Sequence, residues 1–230
     1  MDAGFSRRET EARLSTRGEP ADGFDGFVIS HEHTDHISGL RSLARHSKAP
    51  IYITRATREA VAWDPRLTRW EFFTAGTPFS VGEIEVTPFS VPHDAADPVA
   101  FTFHAQGVKI GLVTDLGYIP ELVKQRLRGC HCLIFESNHD LEMLKSGPYP
   151  WHVKQRVMSR QGHLSNHATG EFLSGDYDGH AAVLVLAHLS EQNNHPEIAR
   201  LCATKALHKR ASSAELHLAN QSSPTIVFRF

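Results

Sequence analysis

His31-Glu32-His33-Thr34-Asp35-His36 is the stretch that decides how this chain of 230 residues is interpreted, because it gathers three imidazoles and an aspartate. Imidazole nitrogen and carboxylate oxygen are ligands that suit zinc, manganese or iron. The stretch is expected to follow a short buried strand over 27–30 and to lead into a helix over 36–48. Chance is the alternative, since the chain contains 16 histidines and the pattern H-x-H-x-D-H arises by accident in roughly one chain in a few hundred. We interpret the stretch as part of a metal site.

Four more strand-like runs lead to a residue that could bind or serve a metal. Buried strands in layered α/β folds are continuous apolar runs, and chemistry collects at their carboxyl ends. Each such residue alone is more often a strand terminator or a satisfied core group. Four coincidences beside the hexapeptide indicate one convergent site. The runs are 85–91, leading to His93; 109–114, leading to Asp115; 132–135, leading to Glu136; and 181–187, leading to His188.

Composition sets bounds on the fold and the partners. With 40% hydrophobic residues the chain can bury a full core, and we expect one domain over 1–230. A formal net charge of −2 provides no basic field for binding nucleic acid across the whole surface. The odd number of cysteines, three, argues against a disulfide scaffold and fits a cytoplasmic protein. The longest apolar run is far shorter than the roughly 20 residues of a membrane span, so no membrane partner is expected.

Predicted strands and helices alternate along the chain, as in an α/β fold. Turn residues predict a hairpin across 105–107, and 18–23 is expected to be a loop. Besides the helix after the hexapeptide, helices are predicted over 3–17, 56–63, 120–127, 150–159, 166–173 and 195–206. Further strands are predicted over 51–54, within 70–113, and at the C-terminus, where the last covers 225–230.

The hexapeptide, together with His93, Asp115 and His188, resembles the metal signature of the metallo-β-lactamase-fold hydrolases. Further segments resemble the YycJ/WalJ branch of that family, and the resemblance extends over nearly the whole chain. These segments are 2–6 (DAGFS), 91–95 (VPHDA), 136–140 (ESNHD), 147–150 (GPYP), 162–166 (GHLSN) and 188–196 (HLSEQNNHP).

The resemblance implies an α/β fold, the αββα sandwich, in which two mixed sheets face each other with helices outside. Members of the family usually begin with a strand, a Gly/Ser-rich turn and a second strand before the Asp-Ala-Gly segment. Met1 directly precedes Asp2 here, so we expect the N-terminal hairpin to be missing. An unpaired sheet edge would follow, and exposed edges invite association.

The YycJ/WalJ branch is regarded as phosphodiesterase or exonuclease in character. The resemblance therefore implies a hydrolase that uses two divalent ions, Zn²⁺ or Mn²⁺ with iron as a further option, and acts on DNA or a small phosphodiester. In two-metal hydrolases the ions share a water whose pKa falls toward about 7, which supplies a hydroxide nucleophile at neutral pH. Two alternatives stay open: a thioester or lactone hydrolase on the same fold, and a metal-binding module without turnover.

The same resemblance assigns roles to the ligands. Asp115 is expected to bridge the ions, because a carboxylate has two oxygens. Asp35 is also a candidate catalytic residue that orients the nucleophile. The other ligands of the first ion are His31, His33 and His93, and those of the second ion are Asp35, His36 and His188.

Further residues are expected to support the ligands or to bind the substrate. His163 would bind phosphate or protonate the leaving oxygen; the alternative is a capping segment in which Ser165 or Asn166 begins a helix. Asp2 either accepts hydrogen bonds from the ligand loop or is a helix N-terminal acid stabilised by the dipole. The remaining candidates are Glu136, which would orient a ligand histidine, His139, which would contact substrate or support the metals, and Asn194.

One local feature favours a phosphate substrate independently of the family. Residues 143–170 include no Asp or Glu, although cations and aromatic residues are interleaved there. Cationic side chains can bind phosphates and aromatic side chains can stack on bases. The alternative is an ordinary solvated helix face. The residues concerned are Lys145, Tyr149, Trp151, Lys154, Arg156 and Arg160.

Overall fold

Residues 1–20 and 23–230 are described in a computed structural model, and their contacts divide them into two units. The first unit contains Met1–Ser90, Ala95–Val99 and Ile226–Arg229, and the second contains Val91–Asp94, Ala100–Thr225 and Phe230. The single-domain interpretation stays a prediction. The predicted loop over 18–23 includes residues 21 and 22, which lie outside the described residues.

The first unit begins with helix α1 and builds a sheet from short strands. Strands β1, β2 and β3 pair in parallel, because each connection between them passes through helix: α2 and α3 follow β1, and α4 follows β2. Strands β4 and β5 form an antiparallel hairpin. The elements are α1 (Arg7–Ser15), β1 (Phe27–Val28), α2 (Thr34–Ile37), α3 (Leu40–Ser47), β2 (Ile51–Ile53), α4 (Arg55–Ala60), β3 (Trp70–Phe72), β4 (Phe79–Val81) and β5 (Ile84–Ser90).

Packing in the core of the first unit fixes the position of the hexapeptide, which follows β1. Helix α3 buries Leu40, Leu43 and Ala44, the i, i+3, i+4 spacing of one helix face, against the strands. Phe27 and Ile51 belong to the same buried cluster. Because this face anchors α3, the segment between β1 and α3 is held at both ends, and that segment carries the metal-ligand candidates.

The helix predicted over 36–48 is instead two helices, α2 and α3, with a break at Gly39. The N-terminal segment lies against this break: Gly39 N donates to Ala3 O at 2.7 Å, and Ala3 N donates to His36 O at 2.7 Å. A Cβ on Gly39 would lie 1.7 Å from the carbonyl oxygen of Phe5. These contacts occupy the backbone groups of residues 3–5, so α1 starts at Arg7 rather than at residue 3 as predicted, with Ser6 as its N-cap.

The second unit contains a mixed sheet with helices between its strands. The order is β10-β9-β8-β7-β6, in which β6 and β7 are antiparallel across the predicted hairpin and the other pairs are parallel. Every residue of β9 is buried, as its apolar run indicates. The elements are β6 (Val99–Ala105), β7 (Val108–Val113), α5 (Glu121–Leu127), β8 (Cys132–Glu136), α6 (Leu141–Ser146), α7 (Trp151–Val157), α8 (Asn166–Gly175), β9 (Val183–Ala187), α9 (Pro196–Arg210) and β10 (Glu215–Leu218).

The predicted α/β class with two sheets is confirmed for the described part of the chain. The β1-β2-β3 sheet is parallel rather than mixed. The strand predicted over 225–230 is wrong: these described residues form no strand, and Ile226 and Phe230 are exposed rather than paired into a buried sheet. Helix α6 was not predicted, because a helix with Leu144 as its buried residue has no apolar periodicity to detect.

The three cysteines form no disulfide with any described residue. Burial raises the pKa of Cys130 and of Cys132 to about 11 in each case, so both thiols stay protonated and unreactive at neutral pH. Among the described residues, no helix combines the length and the apolar character that crossing a bilayer requires.

We expect the substitution Gly39→Ala to destabilise the protein. The added methyl would meet the backbone carbonyls of Phe5 and Ala3, which cannot move aside as a flexible side chain can. Overpacking of this kind costs about 1–3 kcal/mol, measured as the free energy of urea unfolding. Gly23→Ala is the control, because a Cβ there meets nothing within 4 Å. Equal stability of the two variants would contradict the packing of the N-terminal segment against the helix break.

Candidate metal centre

The histidines of the hexapeptide lie together in the first unit. The chain leaves β1 in an extended segment that carries His31 and His33, and α2 then brings His36 back beside them. The ring centroid of His31 lies 4.6 Å from that of His33 and 4.1 Å from that of His36. His31 and His36 are buried. Three imidazoles at this separation form a candidate for metal binding within the unit.

Asp2 holds two of these histidines in a defined orientation. Its carboxylate accepts from Ser30 N at 2.8 Å, from Ser30 Oγ at 2.9 Å and from His36 Nδ1 at 2.9 Å. Because the Ser30 hydroxyl donates to Asp2, it accepts from His31 Nδ1 at 2.9 Å. Both rings therefore carry their proton on Nδ1, and the lone pair suited to a metal lies on Nε2. The alternative for Asp2, a helix N-terminal acid, is wrong because α1 begins at Arg7.

Asp35 differs from the histidines around it because its side chain is 67% exposed. One of its carboxylate oxygens lies 3.5 Å from Nε2 of His36. A cation between these two atoms would be held by both. The exposure of Asp35 also leaves room for a water molecule or a substrate at the same place.

The second unit gathers candidates at the carboxyl ends of its parallel strands. Asp115 follows β7, Glu136 ends β8 and His188 follows β9, and these strands are neighbours. Asp115 Oδ1 lies 3.5 Å from His188 Nε2 and 3.7 Å from His93 Nε2. Asp115 and His188 both have left-handed backbone, with φ of 63° and 57°. Such backbone is uncommon outside glycine and clusters at functional sites.

Glu136 connects the histidines of this cluster. Its Oε1 accepts from Nδ1 of His188 at 2.8 Å and from Nδ1 of His163 at 2.9 Å. Its Oε2 accepts from the backbone N–H groups of Leu116 and Leu164 at 3.3 and 3.0 Å. Ligand atoms of Asp115, Glu136, His163 and His188 all lie within 4.8 Å of one another. Imidazole and carboxylate donors at this spacing fit a divalent cation of the zinc or manganese type.

The protonation states agree with this geometry. Burial alone would raise the pKa of Glu136, but the charges and hydrogen bonds of His163 and His188 outweigh it and hold that pKa well below its usual range. Burial would lower the pKa of His163, yet Glu136 outweighs it and raises that pKa above its ordinary value. The pKa of His93 is lowered, mainly by burial, which favours the neutral imidazole that a metal ligand must be.

His139 and Asn194 lie inside the loops that follow the strands. His139 is buried, which favours the supporting role over substrate contact, and its carbonyl accepts from Asn166 N at 2.8 Å. Asn194 Nδ2 donates to the carbonyls of Ser137 and Asn138 at 2.9 and 3.0 Å. These bonds use the Asn194 amide to shape the loop after β8.

Asn138 is a functional residue that the sequence motifs do not predict. Asn138 Nδ2 donates to the carbonyl oxygen of His188 at 2.8 Å. That bond holds the left-handed turn at His188, so Asn138 acts on the ligand through its backbone. The only signal was the polar composition of the segment 136–140. Ser165 caps α8 by accepting from Ala168 N at 3.1 Å, as the capping interpretation predicted.

The basic segment is less cationic at the surface than its sequence suggests. Lys154 is buried and donates to Lys145 O at 2.7 Å, and Arg156 is ion-paired with Asp94. Arg160 remains at the surface, with its guanidinium 4.0 Å from the ring centroid of Tyr118. Trp151 is exposed as well. The phosphate-binding role of this segment stays a prediction: Lys154 is taken up by a C-terminal carbonyl of α6, whereas Arg156 is ion-paired with a neighbouring acid but keeps a side chain that is 60% exposed.

The sequence and the fold of this chain are similar to those of known proteins. The family pattern described as beta-lactamase superfamily domain matches residues 1–189. The chain is 34% identical to exodeoxyribonuclease YycJ of Bacillus anthracis, with 98% of this chain and 88% of that protein aligned. It is 31% identical to exodeoxyribonuclease WalJ of Streptococcus pneumoniae, with 90% and 79% aligned. The crystal structure of the metallo-beta-lactamase fold protein YhfI from Bacillus subtilis matches with a TM-score of 0.65 at 20% identity, over 87% of this chain and 77% of that one.

We expect His139 to make the protein sensitive to acid. Burial lowers its pKa from 6.5 to about 4, so below pH 6.5 the unfolded chain takes up a proton that the folded chain resists. Stability therefore falls as the pH drops from 6.5 to 4, by roughly 3 kcal/mol from this group at 1.36 kcal/mol per pKa unit. The measurement is the free energy of urea unfolding at pH 7 and pH 4 for wild type and His139→Gln.

The difference in stability between wild type and His139→Gln should shrink by that amount at pH 4, because the variant has no such proton to exclude. His208→Gln, which replaces an exposed histidine on α9, is the control and should keep the wild-type pH dependence. A constant difference between wild type and His139→Gln at both pH values would contradict the neutral state of His139 in the fold.

Proposed function

Because the chain belongs to the beta-lactamase superfamily and, within it, to the family of YycJ and WalJ, we propose that it is a metal-dependent phosphodiesterase that removes nucleotides from the ends of DNA. The observation that carries the proposal is the Glu136 cluster. There, a buried carboxylate fixes His163 and His188 beside Asp115. The cluster therefore offers metal-ligand atoms and, in His163, an imidazole whose pKa is raised. The names of the relatives support DNA as the substrate.

The residues fit a metal of the predicted kind. The donors are imidazole nitrogens and carboxylate oxygens, and the hydrogen bonds to Nδ1 of His36 and His188 leave Nε2 of each ring as the ligand atom. When bound, two divalent ions activate a water molecule and neutralise charge on a phosphoryl group. The residues that would hold such ions are His31, His33, Asp35 and His36 in the first unit and His93, Asp115 and His188 in the second.

The chain's own residues orient the ligands and move a proton. Asp2 and Ser30 hold the rings of His31 and His36. Glu136 accepts from Nδ1 of His163 and raises the pKa of that imidazole, so a proton on Nε2 would be the one available to substrate. His163 donates that proton to the oxygen that leaves phosphorus, which becomes a hydroxyl group. Asp35, an exposed carboxylate beside His36, accepts a hydrogen bond from the attacking water.

A surface suited to a nucleic-acid strand lies near this cluster within the second unit. Tyr118 and Arg160 stack on each other, and each lies three residues from a member of the cluster, Asp115 or His163. Arginine and aromatic side chains bind phosphates and stack on unpaired bases. This pair supports a single strand or a frayed end as the form of DNA that is bound. Nothing in the cluster specifically favours the thioester or lactone alternative.

The test is hydrolysis of 5′- and 3′-labelled single- and double-stranded DNA by protein loaded with Mn²⁺ or Zn²⁺. We expect release of nucleotides that a chelator abolishes and metal restores. His163→Gln keeps a donor for Glu136 but lacks the acidic proton, so kcat should fall by about 10²–10⁴-fold with little change in KM. His167→Gln, which replaces an exposed histidine on α8, is the control and should behave as wild type.

The same assay distinguishes the alternatives. Hydrolysis of thioesters or lactones without hydrolysis of DNA or bis(p-nitrophenyl) phosphate would replace the proposal with a carbonyl hydrolase. Bound metal without hydrolysis of any of these substrates would replace it with a metal-binding module. Full activity of His163→Gln would reject the role of His163 while leaving the reaction in place.

A further inference from the structure

A cleft of about 650 Å³ opens in the first unit beside the hexapeptide. One wall is formed by α2 and the start of α3, and the other by the segment that follows α4. Its volume is within the range of small-molecule sites, about 300–1,000 Å³. The residues that the argument uses are Thr34, Ile37, Arg41, Trp63, Asp64 and Arg66.

Two guanidinium groups are held in place at this cleft by one carboxylate. Arg66 binds Asp64 through Nε and Nη2, both at 2.9 Å, and Arg41 Nε lies 2.5 Å from Asp64 Oδ2. Asp64 is 5% exposed, whereas Arg41 and Arg66 are 62% and 55% exposed. The cluster of two arginines and one aspartate therefore has a net charge of +1. The Asp64 carboxylate is buried, and both guanidiniums remain accessible to solvent. That arrangement is preorganised for an anion, and the planar fork of arginine suits phosphate.

The wall beside these cations is aromatic and fixed. The Trp63 indole donates from Nε1 to the carbonyl of Arg58 at 2.7 Å. Its ring lies edge-on to Trp70, with centroids 5.3 Å apart, and the guanidinium of Arg58 covers Trp70 at 4.6 Å. Ile37 adds apolar surface to the same cleft. A flat apolar wall next to two cations matches a ligand that has both a ring and a phosphate.

We propose that this cleft binds the nucleotide next to the cleaved phosphate, with its base against Trp63 and its own phosphate on Arg41 and Arg66. This inference rests on the proposed function, because it takes the substrate to be a nucleic-acid strand. Thr34, the residue directly before Asp35, lines the cleft, so a strand whose cleaved phosphate lies at the hexapeptide has the cleft beside it. Inorganic phosphate would make no contact with the aromatic wall, and an apolar peptide would not neutralise the net positive charge that remains after both guanidiniums pair with Asp64.

The cleft would therefore bind a nucleotide strand whatever its base sequence. Every base has a face that can stack, and the phosphate is common to all nucleotides. A base reaches the Trp63 wall only after it has left the duplex stack, so the cleft selects single strands or frayed ends.

The experiment measures binding of a 5′-phosphorylated hexathymidylate with phosphorothioate linkages to the metal-loaded full chain, by fluorescence anisotropy over a range of salt concentrations. Arg41→Gln should lower the slope of log Kd against log salt by about 1, because one phosphate contact is lost. Trp63→Leu should weaken binding by about 5- to 150-fold, the range for loss of one stacked base. Trp63→Phe keeps an aromatic wall and should retain most of the affinity. Arg8→Gln, at an exposed arginine of α1 outside the cleft, is the matched control for charge.

The outcomes separate this inference from the proposed function. If wild type degrades DNA but Arg41→Gln and Trp63→Leu bind the oligonucleotide as wild type does, the cleft assignment is overturned and the function stands. If wild type degrades no DNA but both variants lose oligonucleotide binding, the function fails, and the cleft stands only as a site that binds a nucleotide strand. Competition by inorganic phosphate or by an apolar peptide as effective as competition by thymidine monophosphate would also overturn the assignment.

Discussion

A buried carboxylate shared by two imidazoles organises the second unit. Burying the Glu136 anion without partners would cost several kcal/mol, and its two oxygens are instead satisfied by two ring N–H groups and two backbone N–H groups. Those four bonds come from loops after β7 and β9 and from the segment before α8. The loops therefore have to meet at the end of β8, and the ligand candidates meet with them.

The first unit follows the same principle with different residues. Asp2 reaches Ser30 and His36, so the start of the chain fixes the histidines that follow β1. In each unit, a carboxylate beneath the rings places the proton on Nδ1 and presents Nε2. Asp2, like Asp115 and His188, has a positive φ, a backbone conformation that is uncommon outside glycine and clusters at functional sites.

Charge at the surface is distributed by tertiary contacts rather than by sequence blocks. In the segment over 143–170, Lys154 is buried and donates to a backbone carbonyl, whereas Arg156 is ion-paired with Asp94 but stays 60% exposed. Arg41 and Arg66, which lie far from that segment in sequence, come together because Asp64 binds both. A cation matters for substrate binding only if its N–H groups remain accessible, and ion pairing beneath the surface decides this.

The sequence by itself determined the class of fold, the family and the candidate ligands. Apolar runs, turn residues and a ligand-rich hexapeptide are local signals, and each can be detected within a short window. Predictions from such short windows failed at two places. One is Gly39, where the N-terminal segment interrupts the predicted helix, and the other is 225–230, where an apolar run forms no strand. Only the tertiary structure decided which atoms are hydrogen-bonded to Glu136 and Asp2, which lysine is buried and that Asp64 gathers two arginines. These partners are separated by up to 52 positions, and their pairing depends on how the chain closes on itself rather than on the preference of any single segment.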